Sequence, residues 1–130
     1  KALSGHSGCR RQTVFMMTWA YKDKPEMTRL LADATIEVAN ENSASVIPCG
    51  LAFERSQRDF PEIELIRSDN RHPTVAGTYL EAAVFFASLT GIAPTDCDFY
   101  GRFDDLVVTP ETGKKLQQAA WGTVNEFNNW

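Results

Sequence analysis

Two short apolar runs that flank an amphipathic helix constrain the fold of this chain more than any other feature. The runs lie at residues 13–19 and 44–48 and are rich in β-prone apolar residues. This arrangement predicts a strand–helix–strand unit with its helix over residues 25–41. We expect the two strands to be parallel neighbours joined by a right-handed crossover, and the first strand to be buried on both faces. The helix carries its predicted buried face on Met27, Leu30, Leu31, Ala34 and Val38.

The rest of the chain is predominantly helical. A short helix is predicted at residues 51–58 and a longer, apolar helix at 74–90. Residues 63–73, an extended piece followed by a polar turn, separate them. Thr109, followed by a proline, provides the cap of a final helix. The chain is therefore predicted to be a single unit of the α/β class.

Two strands and four helices do not complete a parallel sheet, which normally has several strands and both faces covered. We therefore expect residues 13–130 to be a truncated part of a larger doubly wound sheet, after a flexible segment at residues 1–12. Unpaired strand edges and an exposed apolar patch should result, with the helix at 74–90 as the main source of the patch. Such a chain should associate with itself or with its missing N-terminal half.

Charge, hydropathy and cysteine spacing exclude several functions. A net charge of −4, from 13 Lys and Arg against 17 Asp and Glu, argues against a dedicated nucleic-acid binder. The longest purely apolar run, residues 82–87, is far shorter than the roughly 20 residues of a membrane span. No Cys/His cluster has the spacing of a metal site, and Cys49 is expected to be a buried thiol. The cellular compartment stays open.

The sharpest signal for chemistry is Asp69-Asn70-Arg71-His72, in the polar turn before the apolar helix. An aspartate three residues before a histidine, across a tight turn, is able to accept a hydrogen bond from Nδ1. This bond would fix the imidazole tautomer and leave Nε2 to take a proton from a nucleophile. The same spacing suits an Asx-type turn with a helix-capping histidine, and spacing alone leaves both interpretations open.

The segment SDNRHPTVAGTYL, residues 68–80, resembles the last motif block of the SGNH/GDSL hydrolase superfamily. In that block an Asp-x-x-His-Pro turn leads into a helix with a glycine and then bulky apolar residues. The strand ends TWAY (18–21) and IPCG (47–50) are similar to those of a branch of the superfamily found in bacterial genomes. The resemblance extends from residue 14 to residue 91, and more loosely to the final helix.

This resemblance implies part of a three-layer α/β/α sandwich, SGNH-hydrolase-like, with a flavodoxin-like parallel sheet. It implies hydrolysis of carboxylic esters through an acyl-serine intermediate, without a metal or cofactor. His72 would be the general base and Asp69 would orient it, while Gly77 would let its helix approach its neighbours closely. The substrate would be a small-molecule ester, such as an acylated carbohydrate.

The chain departs from the superfamily pattern because the blocks with the serine nucleophile and the oxyanion donors are absent. We therefore expect it to be the C-terminal portion of such a domain and to be inactive alone. The segment Gly5-His6-Ser7-Gly8-Cys9 nearly fits G-x-S-x-G, but that motif requires glycine at Cys9 and a strand before it. A polar segment without a catalytic role explains Ser7 and His6 better.

Trp19 and Tyr21 follow the first predicted strand at its carboxyl end, where open α/β sheets bind ligands. They are candidate substrate-binding residues, and a core tryptophan beside a rim tyrosine is the equal alternative. Arg71, beside the Asp69–His72 pair, is suited either to receive an acidic substrate or to be solvated, and solvation is the expectation. The acidic residues within 96–105 are expected to be solvated. The alternative function is a non-catalytic α/β module that binds a ligand or partner at the same edge.

Overall fold

The computed structural model describes residues 11–103 and 105–130, and within them it shows an α/β unit with a two-stranded parallel sheet and four α-helices. The order of these elements is β1 (Val14–Met16), α1 (Met27–Glu41), β2 (Ser45–Ile47), α2 (Cys49–Asp59), α3 (Val75–Thr90) and α4 (Pro110–Asn128). A short 3₁₀ turn, Pro94–Asp96, precedes α4. The predicted α/β class is therefore confirmed.

The two strands pair in parallel, as predicted. Val14 lies opposite Ser45 and Met16 opposite Ile47, and α1 connects the strands. Each strand is only three residues long. One further ladder bond, from Met17 N to Ile47 O at 2.9 Å, carries the pairing to the end of the sheet where the chain turns into its loops. The handedness of the crossover stays a prediction.

The prediction that β1 is buried on both faces is wrong. Val14 is 38% exposed and Met16 is 42% exposed. These two residues lie on the same face of the strand, since side chains alternate along it. A parallel strand is normally covered by helices on both faces. Within the described residues, no segment fully covers the face of β1 that carries Val14 and Met16.

The predicted buried face of α1 is also largely wrong. Leu30 is 69% exposed, and Val38 is exposed as well. The buried residues of this helix are instead Thr28, Ala32 and Ala39. Apolar periodicity shows which residues favour burial, but the segment that would cover them has to come from elsewhere in the fold. Met27 and Leu31 are half-buried, so only part of the predicted apolar face is left exposed.

The hydrophobic core lies between β2, α2, α3 and α4, and the last two helices pack most closely together. Its buried members include Ile47, Cys49, Phe53, Leu65, Leu80, Val84, Leu116 and Val124. Burial raises the pKa of the Cys49 thiol to about 12, and the predicted buried thiol is confirmed.

On α3, Phe86 and Leu89 are exposed. Exposed large apolar side chains also lie on β1, on α1 and within residues 92–107, so the expected apolar exposure does not come mainly from α3.

Local capping and one close approach fix α3 behind the polar turn. The Thr74 hydroxyl accepts a hydrogen bond from Gly77 N at 3.1 Å, and Gly91 ends the helix with φ 71°. A Cβ at Gly77 would overlap the carbonyl oxygen of Leu65, so the predicted close approach is confirmed.

Among the described helices, none is long and apolar enough to cross a membrane.

Candidate functional site

The Asp69–His72 turn closes a small hairpin in front of α3. Ile66 and Pro73 form an antiparallel bridge, and Arg67 N donates to His72 O at 2.8 Å. Asn70 has a left-handed backbone with φ 74°, a conformation that asparagine tolerates better than most residues. The hairpin therefore turns sharply within a few residues and returns His72 to the start of α3.

Asp69 and His72 are in direct contact within this turn. Asp69 Oδ2 lies 2.5 Å from His72 Nδ1, and Asp69 Oδ1 accepts hydrogen bonds from the backbone N–H groups of Arg71 and His72 at 3.0 Å. The bond from Arg71 N, then those from the His72 ring and backbone, hold the pKa of the Asp69 carboxyl well below its usual range. The acid is therefore ionised and fixed against Nδ1.

Both interpretations of this spacing are met in part. The two backbone bonds to Asp69 Oδ1 make the Asx-type turn, and the ring contact makes the acid–imidazole pair. The helix-capping role of His72 is wrong, because Thr74 caps α3. The His72 side chain is 72% exposed, so its ring is open to solvent and to a ligand. The catalytic roles of Asp69 and His72 stay predictions.

Asn70 ties the turn to the loop that follows β1. Its Oδ1 accepts from Asp23 N at 2.8 Å, and its Nδ2 donates to Asp23 Oδ1 at 2.6 Å. Lys22 N also donates to Asn70 O at 3.1 Å. Three hydrogen bonds therefore join two loops that are distant in sequence, and they set the position of the Asp69–His72 pair relative to the end of β1.

Trp19 takes part in packing and in the site at once. Its ring stacks on Phe53 with centroids 4.4 Å apart, and its Nε1–H donates to Arg71 O at 2.9 Å. Tyr21 lies beneath the Arg71 guanidinium, 4.8 Å from ring centroid to Cζ. Gly50 permits this arrangement, because a Cβ there would overlap the carbonyl oxygen of Thr18. The packing on Phe53 fits the core alternative for Trp19, and its substrate-binding role stays a prediction.

These residues surround an open groove of about 430 Å³ at the carboxyl end of β1. It is lined by Thr18, Trp19, Tyr21, Met27, Leu31, Arg71, His72 and Pro73. The predicted site residues Trp19, Tyr21 and His72 therefore meet at one cavity, with Asp69 behind the histidine ring. None of the described serines lines the groove. Within residues 11–103 and 105–130, no serine hydroxyl is therefore placed in the groove to give its proton to His72.

Ser7 and His6 lie outside the described residues, as does Asp104. Across residues 11–103 and 105–130, no group of three or more His, Cys, Asp or Glu side chains is arranged to hold a metal ion.

Several residues of the site were missed from the sequence. Met27 and Leu31 were assigned to a buried helix face, yet they form one wall of the groove. Arg71 is exposed, as expected, and the sequence did not indicate that its guanidinium lies over the Tyr21 ring. Only Asn70 carried a usable local signal, since asparagine within a tight polar turn favours the left-handed conformation.

Comparison with known proteins adds one structural likeness. No protein-family model matches the chain, and no curated protein matches it significantly. A DUF4886 family protein from Bacteroides uniformis, with a crystal structure at 1.50 Å resolution, has a similar fold, with a TM-score of 0.74 and 23% identity. The match covers 90% of this chain and 49% of that protein, so the chain spans about half of its length. At this identity the likeness establishes a common α/β fold and carries no function.

Proposed function

We propose that the chain is the C-terminal portion of an SGNH/GDSL-type serine esterase or acyl hydrolase and supplies its general base, His72, and its orienting acid, Asp69. The observation that carries this proposal is the 2.5 Å contact between Asp69 Oδ2 and His72 Nδ1, with the histidine at an open groove. The architecture proposed with it is a three-layer α/β/α sandwich around a flavodoxin-like parallel sheet that includes β1 and β2.

In the proposed reaction, Asp69 keeps the proton of His72 on Nδ1, so that Nε2 is free to act as a base. Nε2 takes the proton of a serine hydroxyl while the serine oxygen attacks the ester carbonyl. The bond to the alcohol then breaks, and the leaving alkoxide receives this proton from His72, which leaves an acyl-serine. Water, deprotonated by Nε2, attacks the acyl carbon and releases the acid, and the proton returns to the serine.

The serine and the oxyanion donors must come from outside the described residues, and the outer edge of β1 is suited to receive them. Thr13 O and Met17 N bond to β2, so the alternating backbone groups of Val14 and Met16 point to the opposite edge. No described residue pairs with that edge. A parallel strand added there would end beside Thr18, at the groove, which is where ligands bind in open α/β sheets.

The second candidate is a non-catalytic α/β module that binds a ligand or partner in the same groove. It is favoured by one observation: none of the described serines lines the groove, while two aromatic rings and a histidine do. A binding module needs neither a nucleophile nor an oxyanion hole. The two candidates differ in whether His72 is required for a covalent step.

Hydrolysis of a short activated acyl ester distinguishes the two candidates. The assay compares this chain with the longest natural polypeptide that contains it, each as wild type and as His72→Ala, and a fluorophosphonate probe reports an activated serine. We expect labelling and hydrolysis only in the longer polypeptide, both lost in His72→Ala. Asp69→Asn should lower its kcat by about 10³- to 10⁴-fold, since the imidazole loses its correct tautomer. A longer polypeptide that is neither labelled nor active would favour the binding module, and robust activity of this chain alone would make Ser7 the first residue to mutate.

A further inference from the structure

The lining of the groove is basic, whereas the chain as a whole carries a net negative charge. The chain has a net charge of −4, yet no aspartate or glutamate lines the groove. Arg71 is its one permanently charged residue, and His72 is the other basic group. Asp69 lies behind the His72 ring, where two backbone N–H groups and Nδ1 already engage its carboxylate. The described lining therefore favours a negatively charged ligand.

Arg71 is placed to bind such a ligand because hydrogen bonds fix its backbone and its guanidinium takes part in none of the described ion pairs. Trp19 Nε1 donates to its carbonyl, and its own N–H donates to Asp69. The guanidinium lies over the Tyr21 ring, and none of the ion pairs among the described residues involves it. A stacked guanidinium keeps its in-plane N–H groups free for two parallel bonds to a carboxylate or phosphate.

We propose that Arg71 selects an anionic substrate, an ester that carries a carboxylate or phosphate group within reach of the base. The inference rests on the proposed function, because it assigns the substrate class of the same groove. The apolar wall of Met27 and Leu31 and the ring of Tyr21 contact the uncharged part of the ligand, and Arg71 binds its anionic end beside His72. Neutral esters of the same size lack a partner for the guanidinium and are bound less well.

The test is a binding titration of this chain, so it does not depend on catalysis. Phenylacetate and phenyl phosphate are the anionic probes, and phenylacetamide is the neutral probe of matched shape. Binding is followed by NMR at the Trp19 indole N–H and the His72 ring. We expect both anions to bind at least about tenfold more tightly than phenylacetamide, a difference of about 1.4 kcal/mol. Their order of affinity shows whether the site prefers a carboxylate or a phosphate.

Arg71→Gln should remove this preference, while its unchanged indole signal shows that the Trp19 bond to the main chain persists. The matched control is Arg102→Gln, since Arg102 also lies over an aromatic ring, that of Phe103, but does not line the groove. The control should retain the preference. The proposal is overturned if phenylacetamide binds as well as the anions, if no probe binds, or if Arg71→Gln keeps the preference. Such a result leaves the His72-dependent esterase assay to decide the proposed function separately.

Discussion

The Asn70–Asp23 pair should determine how firmly the Asp69–His72 turn is held at the groove. Asn70→Gly removes two side-chain hydrogen bonds, of 2.8 and 2.6 Å, and keeps the left-handed backbone available. Each such bond contributes about 0.5–1.5 kcal/mol net, and the lower half of that range applies because water replaces the partners at this exposed site. The added freedom of glycine in the unfolded chain costs about 0.4–1 kcal/mol more, so the total loss should be about 1.5–3 kcal/mol.

Asn70→Ala should lower the free energy of unfolding by about 1 kcal/mol more than Asn70→Gly, because alanine, unlike glycine, is strained at a φ of 74°. Denaturant unfolding measures both losses, and Asp23→Ala completes a double-mutant cycle that isolates the coupling. NMR of the His72 ring nitrogens reports the site itself: the Nδ1–H tautomer should be less populated in Asn70→Gly than in the wild type. Wild-type stability and an unchanged ring spectrum in Asn70→Gly would refute this reasoning. Equal losses for the two variants would refute the left-handed assignment.

Three further predictions concern the turn, the packing of α3 and the edge of β1. Because hydrogen bonds lower the Asp69 pKa, its contribution to stability should be complete above the unfolded-state pKa of about 3.9 and be lost as the pH falls below it. The stability difference between wild type and Asp69→Asn should therefore shrink as the pH falls from 5 toward 2 in denaturant titrations; a difference that grows over this range would contradict this. Gly77→Ala should destabilise by about 1–3 kcal/mol, since its Cβ meets a main-chain carbonyl, whereas the control Gly122→Ala meets only a flexible arginine side chain and should cost less. Sedimentation should show self-association of the wild-type chain, and this association should be weaker in the Val14→Lys/Met16→Lys variant, because charges on an open strand edge oppose pairing. A wild type that is monomeric at every concentration would contradict association through this edge.

The local features of the fold were predictable because each depends on neighbouring residues. A threonine cap, a helical period and a terminal glycine or proline fix α3 and α4 within a few residues of their predicted bounds. The contact between Asp69 and His72 belongs to this class, since it spans three residues of one turn. The resemblance of this turn to a hydrolase motif indicated a function, and that function is still a proposal.

The groove, by contrast, depends on partners that no local pattern specifies. Trp19 bonds to Arg71 across 52 positions, and Asp23 bonds to Asn70 across 47. Polar contacts at such separations leave no periodic trace, because each residue alone has the composition of an ordinary loop. The sequence indicated a base and its acid, but only the packed chain shows which aromatic and basic side chains they face.

The apolar stripe of α1 shows the same division. The sequence determined that Leu30 and Val38 favour burial, because that preference belongs to the side chains themselves. Whether they are buried depends on which segments lie against them, and in the described structure Thr28, Ala32 and Ala39 of α1 are buried while these two stay exposed. Burial is a property of two surfaces in contact, so it is decided only when the tertiary structure brings the second surface into place.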